Sequence, residues 1–364
     1  MGEVVVLGGY GSVGRACVRE LFQTTSVGLV IAGRNAQRAE RAALEFGERG
    51  RGVYADAADP RTLGAAIPGS AAVLCCAGVR SGAALRAALE HRVPFVDLAP
   101  LAIETHALQR LREEAWSAQI PVVLHAGAVP GLPAIVADFL LRCFPSIHQL
   151  EISSTGGPAL GPTAREDLAA LRLRLRSQQR PRGRTRLWSR RCRFPDPIGR
   201  LPVQPACALD LEELEATHCL GQLGYSEVNS GRLPNWLRRP RRPEFGLVAE
   251  AFVEPGDRIA GGRVAIRASD PLVAAAAVAG AVVRAVLLGR VPAGVVGPHE
   301  AINPARLLQV VEKRGVRVVT ENHRSSPGLL QEAPASPRIK SRSGRIPRVR
   351  KPPPESARAS VPSE

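Results

Sequence analysis

Apolar and polar positions follow two patterns over the first 125 residues of this 364-residue chain. Short, uninterrupted apolar runs are typical of parallel strands buried on both faces, whereas apolar residues at three- and four-residue intervals are typical of helices that cover such strands. The runs predict strands at 4–7, 28–32, 51–55, 71–77, 94–98 and 121–125, and the intervals predict helices at 15–22, 35–46, 82–90 and 103–118. This β–α alternation predicts an α/β fold with a mostly parallel, doubly wound sheet.

A glycine cluster follows the first predicted strand at the G-x-G-x-x-G spacing of a dinucleotide-binding turn. Gly9 permits the tight turn, Gly11 lets the backbone approach a pyrophosphate, and Gly14 lets the next helix pack closely on the strand. Because a strand precedes the motif and a helix follows it, we favour a dinucleotide site over a purely structural turn. The residues predicted to hold the cofactor here are Gly9, Tyr10, Gly11, Ser12, Val13 and Gly14.

The end of the second predicted strand indicates which dinucleotide is bound. NAD-preferring sites place an acid there to accept from the ribose 2′-hydroxyl, whereas this chain offers Arg34 and Asn35. A guanidinium would pair with a 2′-phosphate, so we predict NADPH or NADP rather than NAD; a solvated loop arginine is the alternative. Two further pairs follow later strands: Asp56 and Ala57, expected at the adenine, and Ala77 and Gly78, expected beside the nicotinamide ribose.

The formal charge of +16 is confined to two segments. Residues 168–195 contain ten arginines and no acid, and residues 324–364 carry a net charge of +6, so the rest of the chain is neutral. We therefore predict no specific nucleic-acid partner. The arginine-rich segment 172–193 is predicted to be a solvated face or lid, with a patch for an anionic substrate as the alternative. The tail 323–364 lacks apolar periodicity and is predicted to be disordered.

The seven cysteines show no C-x-x-C pair and no zinc-type spacing with the seven histidines. We predict reduced thiols, no metal site and a cytoplasmic protein without a signal peptide. Cys75 and Cys76 lie in an apolar strand, which favours buried, unreactive thiols over a nucleophile. The apolar run 272–289 is rich in alanine and contains Arg284, which favours a buried helix over a membrane span.

The sequence disfavours two common sources of the catalytic proton in a reductase: a lysine general base, and a tyrosine that is activated by a lysine four residues later. The three lysines are Lys313, Lys340 and Lys351, and no tyrosine is followed four residues later by lysine. Hydride transfer to a C=N bond needs less help, because a protonated imine is already electrophilic. Asp97 and His125 lie at the carboxyl ends of predicted strands five and six and are the candidate proton donors; the alternatives are a helix cap and a core histidine.

Several motifs together resemble the saccharopine dehydrogenase family, in particular its glutamate-forming, reductase-type branch. They are GGYGSVGR, AGRN at 32–35, D-x-x-D at 56–59, PFVDLA at 94–99, G-x-x-P-G at 127–131, RCRFPDPIGR at 191–200 and GPHEAINPARLLQVVEKRGVRV at 297–318. The resemblance thus extends over about residues 3–320. One departure is Val129, which stands where family members that act on saccharopine carry Asp, and this departure disfavours saccharopine as substrate.

The resemblance implies a Rossmann domain interrupted by an α+β substrate and dimerisation domain with a mixed sheet. The expected division is 1–130, 131–268, a return to the Rossmann domain at 269–322, and the tail 323–364; local patterns add strands at 149–154 and 263–268 and a helix at 270–289. The implied function is an NADPH-dependent, homodimeric oxidoreductase that reduces an imine or a related unsaturated bond in natural-product or amino-acid metabolism. An enoyl reductase of carrier-bound acyl chains and a catalytically silent nucleotide-binding protein are the alternatives.

Overall fold

The computed structural model describes residues 2–78, 82–98, 105–144, 146–155, 190–206, 210–211, 214, 222–228, 244–253 and 261–322. All of them belong to one compact unit, which contains two seven-stranded sheets. The tail 323–364 and residues 172–189 of the arginine-rich segment lie outside the described residues, so the predictions made for them stay predictions.

The first sheet is parallel throughout, with the strand order β13-β6-β5-β4-β1-β2-β3. Its strands are β1 Glu3–Leu7, β2 Gly28–Gly33, β3 Gly50–Tyr54, β4 Ala72–Cys75, β5 Phe95–Asp97, β6 Pro121–Val123 and β13 Gly294–Val296. β1 is an interior strand between β4 and β2, and its residues Val4–Leu7 are fully or almost fully buried, as an apolar run between two covered faces requires. The predicted doubly wound parallel sheet is confirmed.

Nine α-helices are described: α1 Ser12–Thr24, α2 Ala36–Ala43, α3 Pro60–Ala66, α4 Gly82–Glu90, α5 Thr105–Ser117, α6 Leu132–Cys143, α7 Pro271–Leu287, α8 Pro298–Ala301 and α9 Pro304–Glu312. The predicted helix 35–46 ends earlier, at Ala43, and continues as a 3₁₀ segment, Leu44–Arg49, in which Gly47 adopts φ 56°. α7 is the alanine-rich run and is buried along most of its length. Among the described helices, none combines the length and the hydrophobicity that a membrane crossing would require.

The second sheet is mixed, with the strand order β14-β12-β11-β7-β10-β9-β8. Its strands are β7 Gln149–Ser154, β8 Arg190–Arg193, β9 Arg200–Pro205, β10 Gln222–Val228, β11 Phe245–Phe252, β12 Gly262–Ala268 and β14 Val316–Asn322. β7 and β10 are parallel, and the other pairs are antiparallel. One face packs its apolar side chains against α6, α7 and α9. The predicted mixed sheet is confirmed.

The last strand differs from the expected division of the chain. β13 joins the first sheet, but β14 pairs antiparallel with β12 at the edge of the second sheet. A turn at Gly315, which adopts φ 83°, brings the chain back from α9, and Val316 then adds to the buried core under the second sheet. Residues 269–322 therefore contribute to both sheets instead of returning only to the Rossmann domain.

Candidate active site

The glycine cluster forms a tight turn between β1 and α1. Gly8 adopts φ 75°, and the Gly11 N–H donates to its carbonyl oxygen at 2.9 Å. A Cβ at Gly14 would collide with that same oxygen, and one at Gly9 would lie 2.9 Å from the Val6 oxygen. The backbone therefore requires glycine where the motif has it, and the cradle fits a pyrophosphate at the α1 N-terminus. Gly8 is a turn residue that the motif spacing does not reveal.

Tyr10 connects the glycine turn to the end of β2. Its hydroxyl accepts from the Asn35 N–H at 3.1 Å, and its ring fills the space that a side chain at Gly33 would need. The Arg38 guanidinium lies 4.9 Å from the centre of the same ring. Arg38 is a residue that the sequence analysis missed. Its signal is the four-residue spacing from Arg34, which places it in the first turn of α2.

Arg34 and Arg38 thus flank the carboxyl end of β2, where a Rossmann fold holds the adenosine ribose. Both side chains are exposed, and the first turn of α2 contains no acid. Asn35 caps this helix by accepting from the Arg38 N–H at 2.9 Å, so it has a structural role beside the predicted contact. The arrangement fits a 2′-phosphate between two guanidinium groups.

The other expected cofactor contacts lie at the same edge of the sheet. The Asp56 carboxylate accepts from the Ala58 N–H at 3.0 Å, which shapes the loop after β3, and Ala57 is buried within that loop. Ala77 and Gly78 follow β4, where Gly78 adopts φ 79°. Since β3 and β4 flank β2 and β1 in the sheet order, their carboxyl ends border one crevice. The structure brings these predicted residues together, and their contacts with the cofactor remain a prediction.

The thiols behind the crevice are held in the protonated form. Burial raises the pKa of the fully buried Cys75 thiol well above its usual value, and the negative charge of Asp97 acts in the same direction. A hydrogen bond with Cys17 and burial together raise the pKa of Cys76. Nucleophilic chemistry at either thiol is disfavoured, as the sequence predicted.

Asp97 and His125 lie on neighbouring strand ends of the first sheet. Asp97 is the last residue of β5 and is fully buried, and its backbone oxygen accepts from the Ala126 N–H at 2.7 Å. The next helix is described from Thr105, so the alternative of a helix cap at Asp97 falls on residues outside the described part of the chain. His125 is half-buried and adopts φ 63°, the left-handed region that non-glycine residues rarely occupy. Both candidates therefore border the crevice.

The turn after His125 leads directly into α6. Gly131 adopts φ 129°, and a Cβ there would lie 2.6 Å from the His125 oxygen. The Gly131 and Ala134 N–H groups both donate to Asp210 Oδ2, at 2.8 and 3.2 Å. Asp210 is only 4% exposed, although it comes from a segment 79 residues further along the chain. A distant carboxylate thus caps the N-terminus of α6.

A polar row occupies one end of the apolar face of the second sheet. Inward-facing residues run Leu150, Ile152, Ser154 along β7 and Leu223, Tyr225, Glu227 along β10, so both strands change from apolar to polar toward their carboxyl ends. The Tyr225 hydroxyl lies 2.7 Å from the Ser154 hydroxyl and donates to Glu227 Oε1 at 3.2 Å. Burial raises the pKa of the Tyr225 phenol well above its usual value, and the charges of Glu227 and Asp210 act in the same direction.

This polar row lies beside the turn that starts α6. α6 has 12 residues and spans about 18 Å at about 1.5 Å per residue. β7 packs against it and returns over six residues, about 20 Å at about 3.3 Å per residue. The end of β7 therefore comes back to the N-terminus of α6, at the carboxyl edge of the first sheet. Ser154 and Tyr225 therefore lie toward the start of α6, where Asp210 is close enough to Tyr225 for its charge to act on the phenol.

His299, at the start of α8, is a further buried titratable residue in this region. It is 8% exposed, and burial lowers the pKa of its imidazole, although the charges of Glu300, Asp138 and Asp210 act in the opposite direction. Asp138 is itself paired with Arg142 at 2.8 Å. No sequence motif indicates that Ser154, Tyr225, Glu227, Asp210 and His299 belong to one group. Among the described residues, no cluster of three or more His, Cys, Asp or Glu residues could hold a metal.

Comparison with known proteins agrees with this geometry. Residues 4–123 match the family model described as the saccharopine dehydrogenase NADP binding domain. The dinucleotide-binding part of this chain belongs to the saccharopine dehydrogenase family. Its cofactor is NADP(H), and the protein is an NAD(P)-dependent oxidoreductase. The predicted family and cofactor are thus confirmed.

Two solved structures extend the comparison beyond residue 123. Apo saccharopine dehydrogenase (L-Glu forming) from Saccharomyces cerevisiae has a TM-score of 0.64 and 13% identity, over 88% of this chain and 100% of that chain. The WlbA dehydrogenase from Thermus thermophilus, solved with NAD and UDP-GlcNAcA, has a TM-score of 0.46 and 13% identity, over 86% and 94% of the two chains. The first likeness establishes a shared fold, and the second is too distant for any argument. No curated protein matches the chain.

Proposed function

We propose that this saccharopine dehydrogenase-type oxidoreductase reduces a C=N bond with NADPH. The observation that carries the proposal is Tyr225, a phenol that stays protonated between Ser154 and Glu227 in the polar row of the second sheet. Bound NADPH supplies the hydride. The protein has to orient the acceptor carbon, exclude water and deliver one proton to the nitrogen.

Each predicted cofactor residue has a role in this proposal. The glycine turn and the α1 N-terminus hold the pyrophosphate, and Arg34 with Arg38 holds the 2′-phosphate. Asp56 and Ala57 border the adenine, and Ala77 and Gly78 leave space for the nicotinamide ribose. Together these residues would fix the position of the nicotinamide ring at the carboxyl edge of the first sheet.

The proton would come from the Tyr225 hydroxyl. The imine nitrogen becomes more basic as its double bond is reduced, so a phenol that is protonated at rest can release its proton during that step. One hydride reaches the carbon of the protonated imine and one proton from Tyr225 reaches the nitrogen, which gives the ammonium, and Tyr225 regains its proton from solvent through Ser154 or Glu227. His125 and Asp97 border the same crevice and remain the alternative donors.

The function is tested by following NADPH oxidation with two kinds of substrate. We expect turnover of the cyclic imines 2-methyl-1-pyrroline and 3,4-dihydroisoquinoline, and little turnover of crotonyl-pantetheine. The converse result would favour reduction of C=C bonds on carrier-bound acyl chains. NADPH binding without turnover of either class would favour a catalytically silent nucleotide-binding protein.

We also propose that the protein works in the cytoplasm as a homodimer on a small-molecule or carrier-bound substrate, without a specific nucleic-acid partner. The five cysteines among the described residues are all free thiols, which supports a reducing compartment. The dimer is implied by the family resemblance. Light scattering coupled to size exclusion would measure the mass, and a monomer at working concentration would contradict the dimer.

A further inference from the structure

The two carboxylate oxygens of Asp210 have different surroundings. Oδ2 accepts two backbone N–H groups at the start of α6. Oδ1 is buried and has no hydrogen-bond partner among the described residues. A buried carboxylate oxygen without a donor is costly, because water has been removed and nothing has replaced it. The capping role therefore accounts for only one of the two oxygens.

A second buried polar atom in this region also lacks a hydrogen-bond partner within the described part of the chain. His299 Nδ1 is buried and has no hydrogen-bond partner among the described residues. The charge of Asp210 acts on the His299 imidazole, which places the two side chains in one region. The lowered pKa of His299 keeps the imidazole neutral near pH 7, so one of its ring nitrogens can accept a hydrogen bond. The region thus offers an anionic acceptor and a neutral acceptor.

The other charges around the pair favour a cation. Asp138, on α6, is neutralised by Arg142, whereas Asp210 has no partner of opposite charge among the described residues. Val129 is the side chain at the turn itself and supplies no polar atom. A group that carries positive charge and N–H donors would satisfy both free acceptors at once.

We propose that Asp210 and His299 form a buried site for the protonated nitrogen of the substrate, an iminium before reduction and an ammonium after it. This assignment rests on the proposed reduction of a C=N bond. Asp210 offers Oδ1 to the charged nitrogen while Oδ2 remains fixed by α6, and Tyr225 lies close enough to Asp210 for the carboxylate charge to raise the pKa of its phenol. The nitrogen would thus be held between its counter-ion and its proton donor.

The test uses the protein with NADP and measures binding of pyrrolidinium, the reduced form of 1-pyrroline, by calorimetry. Asp210→Asn keeps an oxygen that can accept from Gly131 and Ala134 but removes the negative charge. We expect pyrrolidinium to bind about ten-fold more weakly or worse, since hydrogen bonds to charged groups are the strong ones. Asp270→Asn is the matched control, because Asp270 caps α7 in the same way and lies on another helix.

A second measurement needs no variant and guards against misfolding of Asp210→Asn. Tetrahydrofuran has the ring size of pyrrolidine without a charge or N–H group, and we expect wild-type protein to bind it at least about ten-fold more weakly. Equal binding of the two rings, or an unchanged affinity in Asp210→Asn, would overturn the site. Turnover of 1-pyrroline is measured separately: turnover that survives Asp210→Asn unchanged contradicts this site alone, and its absence in wild type contradicts the proposed reaction alone.

Discussion

Replacing Arg38 by glutamine should selectively weaken the binding of NADPH. Arg38 and Arg34 are both exposed, so each pairing with the 2′-phosphate is screened by water and contributes about 1 kcal/mol. That corresponds to about five-fold in Kd for Arg38→Gln and about 30-fold for the double variant with Arg34→Gln. Binding of NADH should change little, because NADH has no 2′-phosphate. The NADPH advantage should also shrink as salt is added.

The assay is titration of nucleotide fluorescence with purified protein, and it requires no knowledge of the substrate. Arg41→Gln is the matched control, because Arg41 is exposed on the same helix and carries the same charge, but lies in the last turn. An equal loss of NADPH affinity in Arg41→Gln would show a general effect of net charge. An equal loss of NADH and NADPH affinity in Arg38→Gln would show that Arg38 acts through Tyr10 and the glycine turn, and would refute its assignment to the phosphate.

Three further predictions concern single residues. Tyr225→Phe should lower kcat for the imine about a hundred-fold or more with unchanged NADPH affinity. A kcat within a factor of about two of the wild-type value would contradict this role and favour His125 or Asp97 as the proton donor. Gly33→Ala should displace the Tyr10 ring and cost about 1–3 kcal/mol of unfolding free energy, whereas Gly64→Ala, where a Cβ meets no atom within 4 Å, should not destabilise the protein in the same denaturant titration. His299 has a folded pKa below its ordinary 6.5, so unfolding free energy should fall as pH drops below about 6.5, and His299→Asn should flatten that dependence.

The dinucleotide half of the site was predictable because its signals are local. The strand β1, the glycines and the start of α1 lie within about twenty residues, and each glycine is required by backbone atoms of the same turn. Arg34 and Asn35 follow β2 directly. Even there, the ring of Tyr10 against Gly33 and Arg38 was not predictable, since it depends on how the turn folds over the next strand.

The substrate half could not be found in the same way, because its contacts join distant segments. Ser154 and Tyr225 are 71 residues apart, and Gly131 and Asp210 are 79 residues apart. In the sequence alone, Tyr225 shows no signal beyond the lack of a lysine four residues later. The polar residues at the ends of β7 and β10 can be recognised as one group only once the parallel register places Glu227 opposite Ser154. β14 shows the same limit, since nothing in residues 316–322 alone specifies β12 as a partner.

The two helix N-termini at the crevice have opposite uses. α1 and α6 both begin after a glycine, Gly11 and Gly131, which has no side chain to accept from the first N–H groups. At α1 the glycine turn leaves these N–H groups available for the pyrophosphate of NADP, as proposed above. At α6 the acceptor is Asp210, so the positive end of that helix is already neutralised and one carboxylate oxygen remains. The proposed site at Asp210 therefore favours a protonated nitrogen at the start of α6, whereas the start of α1 favours an anion, and this difference predicts that α6 holds an imine in preference to a carboxylate.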